Sequence, residues 1–92
     1  MDEKTKGILL RCARIYFHTK NWPKAISEYE NIVKECQDDP NVHEQLALCY
    51  KGANDSQKAK AHLETAIKLE EALNRPEKIE RLKQKMTELG VA

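Results

Sequence analysis

The chain has 92 residues, 40% of them hydrophobic and 34% charged, with a formal net charge of +1 and only three glycines and three prolines. That balance argues against disorder and against a β-sandwich, and leaves one small, helix-rich domain near the lower size limit for a self-sufficient core. No uniform field draws it to nucleic acid or an anionic membrane, and no apolar run approaches the ~20 residues that span a bilayer.

From about Glu3 to Lys20, Ile8, Leu9, Cys12, Ile15 and Tyr16 recur at helical spacing, with the small Ala13 among them. Lys20-Asn21-Trp22 breaks this pattern. Pro23 then fits the first position of a second helix, where its missing N–H costs nothing. Ala25, Ile26, Tyr29, Ile32, Val33 and Cys36 form the apolar stripe of that helix, which Gln37-Asp38-Asp39-Pro40 ends. A third helix runs from about Pro40 to Lys51 on Val42, Leu46, Ala47, Cys49 and Tyr50. Gly52 is expected to stop it by adopting a positive φ. Asp55 or Ser56 caps a fourth helix bearing Ala59, Leu63, Ala66, Ile67 and Leu73. Pro76 opens a fifth, with Ile79, Leu82, Met86 and Leu89 on one stripe and Gly90 as its stop. Glu77 and Arg81 are spaced for an i, i+4 ion pair. Loops this short make consecutive helices pack antiparallel.

The chain also echoes itself. Lys24 falls over Lys58, Ala25 over Ala59, Tyr29 over Leu63, Ala13 over Ala47 and Tyr16 over Tyr50, at an offset of 34 in every case. Glu30 over Glu64 and Lys34 over Lys68 continue the register. A fixed period of this size marks a repeat protein.

In these places the chain resembles the tetratricopeptide repeat (TPR), a helix–turn–helix unit of about 34 residues. Cys12-Ala13 and Tyr16 match the first-helix positions of that family. Trp22, Ala25 and Tyr29 match those of the second helix. Leu46-Ala47, Tyr50, Ala59, Leu63 and Ala66 fill the same places in a second unit. Leu9 and His43 stand where the family prefers tryptophan, Ser56 replaces the aromatic at Trp22, and Pro40 comes slightly late. The resemblance implies an all-α, right-handed superhelix of two helical hairpins, residues 6–39 and 40–73. A capping helix or half repeat, residues 76–89, completes the single domain.

The resemblance further implies a non-catalytic protein-protein interaction module that holds a peptide or partner helix on the concave face. On that face it places Leu10, Arg14, Phe17 and His18 from the first helix, and Asn41, Glu44, Leu48 and Lys51 from the third. Arg14 and Leu48 occupy places where chaperone-tail clamps of the family carry asparagine, so that sub-function is not expected. The alternative is a structural or self-association segment, as a homo-oligomer or within a larger TPR array. RNA binding is the third reading, and balanced charge with few aromatics counts against it.

Enzyme chemistry has no foothold. His18, His43 and His62 lie at different helix phases, and there is no Gly-rich phosphate loop. Cys12, Cys49 and His43 could form a zinc site only if two helices converged on one ion, and no Cys-x-x-Cys or His-x-x-x-His occurs. No cofactor is expected. Cys12, Cys36 and Cys49 fall on apolar faces and read as buried reduced thiols. With the absence of a secretory signal at Met1-Asp2-Glu3-Lys4, they suggest a cytoplasmic or nuclear protein.

Overall fold

Three of the five helices begin where a side chain supplies what the backbone lacks. Asp2, Asp39 and Asp55 accept the N–H groups of Thr5, Asn41 and Lys58, satisfying donors that have no partner within the helix. Pro23, Pro40 and Pro76 sit in first turns, where no N–H is needed. A computed structural model describes residues 1–89. It contains α1 (Glu3–His18), α2 (Trp22–Glu35), α3 (Pro40–Gly52), α4 (Ser56–Ala72) and α5 (Pro76–Glu88), with no strand among the described residues. Asp55, not Ser56, is the cap of α4, and α2 starts one residue earlier than Pro23. The stop expected at Gly90 lies outside the described residues.

Three of the helices end identically. Lys20, Asn54 and Asn74 adopt the left-handed conformation, with φ of 60°, 64° and 56°. The next residue in each case donates its N–H back into the helix: Asn21 to Tyr16 O, Asp55 to Tyr50 O and Arg75 to Glu70 O. This six-to-one bond is the Schellman ending, which turns the chain sharply toward the next helix. The first two endings are one 34-residue period apart. The same period recurs in packing. The Lys24 ammonium lies 5.6 Å from the Tyr16 ring centroid, and Lys58 lies 5.5 Å from that of Tyr50.

Successive helices pack in order, α1 on α2, α2 on α3, α3 on α4 and α4 on α5. One core joins Ala13, Ala25, Tyr29, Ile32, Val42, Leu46 and Cys49. A second joins Ala47, Ala59, Leu63, Ala66 and Leu82. The alanines are fully buried or nearly so, and their small side chains let helix axes approach closely. Helix α3 contributes to both cores, so it is the central element. Leu82 carries α5 onto α4, as the stripe of the fifth helix implied.

Four expectations need correction. Ile8 and Ile15 are 51% and 62% exposed, because α1 stands at the end of the row and none of the described helices covers that side. Leu73, expected in the α4 stripe, caps α4 and is 53% exposed. Helix α3 runs through Gly52, and the left-handed residue is Asn54. A Cβ on Gly52 would lie 2.5 Å from the Trp22 ring, so this glycine makes room for the indole instead of turning the chain. Arg81 bonds to Glu44 across the fold and not to Glu77.

Candidate functional site

Ion pairs tie the odd-numbered helices along one side of the molecule. Lys6 of α1 donates to Asp39, the cap of α3, at 2.9 Å. From α5, Arg81 and Lys85 approach the buried Glu44 of α3 at 2.9 and 3.5 Å. Between these ties runs a groove of about 560 Å³, walled by α1, α3 and α5. Leu10 and Arg14 line it from α1, and Asn41, Glu44 and Leu48 line it from α3, with Tyr29 of α2 also contributing. Five of the eight residues expected on this face therefore come together.

The other three do not line the groove. Phe17 is half-buried and meets the Trp22 ring edge-on, with centroids 5.4 Å apart, so it serves packing. His18 and Lys51 are exposed away from the groove walls. Among the lining residues that sequence reasoning missed are Arg81 and Lys85 of α5, beside Lys6, Tyr29 and Asp39. The signal for the α5 pair was two cations at i, i+4 spacing on the fifth helix.

Charge in the groove is largely paired. The hydrogen bond from Lys6 to Asp39 raises the lysine pKa, burial opposing it less strongly. At Asp39 burial pushes the carboxyl up, but the Lys6 hydrogen bond and the Asn41 N–H together hold it below its ordinary value. Arg14 differs from the other lining cations, Lys6, Arg81 and Lys85. It has no carboxylate partner among the described residues. The Tyr29 hydroxyl is buried and finds no hydrogen-bond partner there, and burial raises its pKa.

A second polar cluster lies between α2, α3 and α4. His43 Nε2 is 2.9 Å from the Gln37 carbonyl, and its Nδ1 is 3.1 Å from His62 Nδ1. His62 Nε2 faces Glu30 at 3.7 Å, while the Tyr50 hydroxyl donates to the same carboxylate at 2.9 Å. A carbonyl only accepts, so His43 carries its proton on Nε2 and offers a lone pair at Nδ1. His62 then donates from Nδ1, and its Nε2 is the free position facing Glu30. Burial lowers the His62 pKa and His43 lowers it further, while Glu30 opposes them. Burial, with the Glu30 hydrogen bond, pushes the Tyr50 phenol up to about 12.

The sign of the pH effect follows. Because the folded His62 binds its proton less readily, the unfolded chain takes one up first as pH falls below 6.5. The contribution of neutral His62 to stability is complete above that value and shrinks on acidification. Melting curves stepped from about pH 7.5 to 5 should show the midpoint falling. In His62→Asn the decline should be shallower, since the amide can donate to His43 without titrating. Glu30→Gln should steepen it, and parallel curves for all three proteins would contradict the assignment.

Zinc is held by at least three side chains in its usual sites, and among the described residues no group of three or more His, Cys, Asp or Glu is placed to hold an ion. Cys49 alone of the three thiols is fully buried, which pushes its pKa up to about 11. Cys12 and Cys36 are half-buried, and Cys36 packs against the margin of the first core. No helix among the described residues is long and apolar enough to cross a membrane. Comparison with protein-family models, with curated proteins and with solved structures returned no match.

Proposed function

We propose that the chain is a non-catalytic protein-binding module of TPR type, which seats a peptide or helix from a partner in the groove between α1, α3 and α5. The observation that carries the reading is that α1 and α3 turn Leu10, Arg14, Asn41, Glu44 and Leu48 into one trough. The two Schellman endings and two lysine–tyrosine contacts at the 34-residue period support the repeat assignment beneath it. The trough is open, and Lys6, Asp39, Glu44, Arg81 and Lys85 line it beside only a few apolar residues. That surface suits a polar peptide with one apolar anchor better than an apolar cofactor, which fills a mainly hydrophobic pocket.

The pairing pattern refines the partner. Lys6, Arg81 and Lys85 are already held by carboxylates, so Arg14 is the cation left to meet an acid on the peptide. Leu10 and Leu48 would receive its apolar side chain. Peptides selected from a random display library against the wild type should bind Arg14→Glu roughly 10–100-fold more weakly, the range expected for a charge-assisted hydrogen bond. Lys51→Glu should bind as the wild type does, because Lys51 lies outside the walls. Equal binding to all three proteins would exclude the groove.

A further inference from the structure

Helix α1 carries a second surface on the side away from α2. Lys4, Ile8, Arg11 and Ile15 are all exposed, and the spacing 4, 8, 11, 15 sets them in one straight stripe along the helix. Exposed isoleucines at helical spacing are unusual on a surface that solvent alone must cover. Neither Lys4 nor Arg11 has an ionic partner among the described residues, although Lys6, Arg75, Arg81 and Lys85 each have one.

Beside the stripe sits Gly7, inside the helix. Nothing among the described residues lies within 4 Å of a Cβ built there, so no contact with them requires glycine at this place. A glycine inside a helix costs about 1 kcal/mol relative to alanine. Gly7 lies in an open notch of about 410 Å³ that Glu3, Lys4, Ile8 and Arg11 also border. The notch and the apolar stripe together suit close approach of another helix.

The opposite end of the row presents the complement. On α5, Glu77, Glu80, Gln84 and Glu88 are exposed at the spacing 77, 80, 84, 88, again one stripe, and the exposed Leu73 precedes it. None of these carboxylates has an ionic partner among the described residues. Since the helices pack in order from α1 to α5, the basic and acidic stripes belong to the two end helices.

We infer that copies of this chain stack head to tail, the Lys4–Ile8–Arg11–Ile15 stripe of one lying on Leu73 and the Glu77–Glu80–Gln84–Glu88 stripe of the next. The contact is heterologous, so it extends into short open chains unless one face is blocked. It leaves Leu10, Arg14 and Leu48 uncovered and would continue the groove from copy to copy. The inference stands whether or not that groove binds a peptide.

Sedimentation equilibrium over a dilution series tests it. The wild type should rise above its 10.6 kDa chain mass with concentration, and the rise should shrink at 1 M salt, where charges are screened beyond about 3 Å. Ile8→Ser/Ile15→Ser and Glu77→Lys/Glu80→Lys should each remain monomeric, and circular dichroism should show both folded. Mixed in equal amounts, they should form a species of twice the monomer mass and nothing larger, because one intact face of each kind remains. A wild type that stays monomeric, association that survives in either variant, or a mixture that stays monomeric would overturn the proposal.

Discussion

Replacing Arg75 with alanine should lower the stability of the fold by about 2–4 kcal/mol, a large share of the roughly 5–14 kcal/mol expected for a chain of this size. Glu70 is 1% exposed, and its carboxylate is held by the Nε and Nη2 of Arg75 through one oxygen. Removing the arginine strands a charge that was taken out of water during folding. The full penalty for such a pair is roughly 3–5 kcal/mol. It is reduced here because the Arg75 side chain is 41% exposed and its loss opens a path for water. Thermal melts should shift downward by roughly 10–25 °C.

Two comparisons isolate the cause. Arg81→Ala should cost much less, because Lys85 still approaches Glu44. Glu70→Leu with Arg75→Ala should recover most of the loss, since replacing both members of a buried pair leaves no orphan. If the single and double variants melted together, the stranded charge would not be the reason. The same pair joins the end of α4 to the cap of α5, where Arg75 precedes Pro76 and makes no side-chain cap of its own. Its loss should therefore loosen α5 first and uncover Ala59, Leu63 and Ala66.

What was legible in the chain was whatever a short window determines. Prolines in first turns, the cap at Asp55 or Ser56 and an apolar step of three or four residues act within one helix, so all five helices could be placed from them. The repeat offset was legible because Ala13/Ala47, Tyr16/Tyr50 and Lys24/Lys58 are the same residue types doing the same local job. Exposure was not. Ile8 and Ile15 match the stripe of a buried helix, and only the absence of a neighbour on that side leaves them in solvent. Pairings over long separations were equally hidden. Lys6 meets Asp39, Arg81 meets Glu44 and His43 meets His62 across 33, 37 and 19 residues. The groove was half legible. Leu10, Arg14, Asn41, Glu44 and Leu48 were placed there by the resemblance to the tetratricopeptide repeat, whereas Phe17 meets Trp22 edge-on, a contact that the resemblance alone does not contain.

Gly52 shows how a local rule can select the right residue for the wrong reason, and it supports the second large prediction. Gly52→Val should destabilise the protein by about 2–3 kcal/mol, the cost of overpacking a filled site. The Cβ position meets Trp22 Cε2 and Cζ2 at 2.5 Å and Cη2 at 2.7 Å, all in the six-membered ring of the indole. That ring cannot swing away freely, because it also meets Phe17 edge-on and packs against the first core. A glycine needed only to end a helix would tolerate the change differently. The residue is helical, so a larger side chain would on propensity alone gain a few tenths of a kcal/mol. The two accounts therefore separate in a Trp22→Leu background, where the ring is gone. There Gly52→Val should become neutral or slightly stabilising, giving a coupling energy of about 2–3 kcal/mol in a double-mutant cycle read by urea denaturation. A cost unchanged by Trp22→Leu would return Gly52 to a backbone role and leave the indole without a part in fixing α3 against α2.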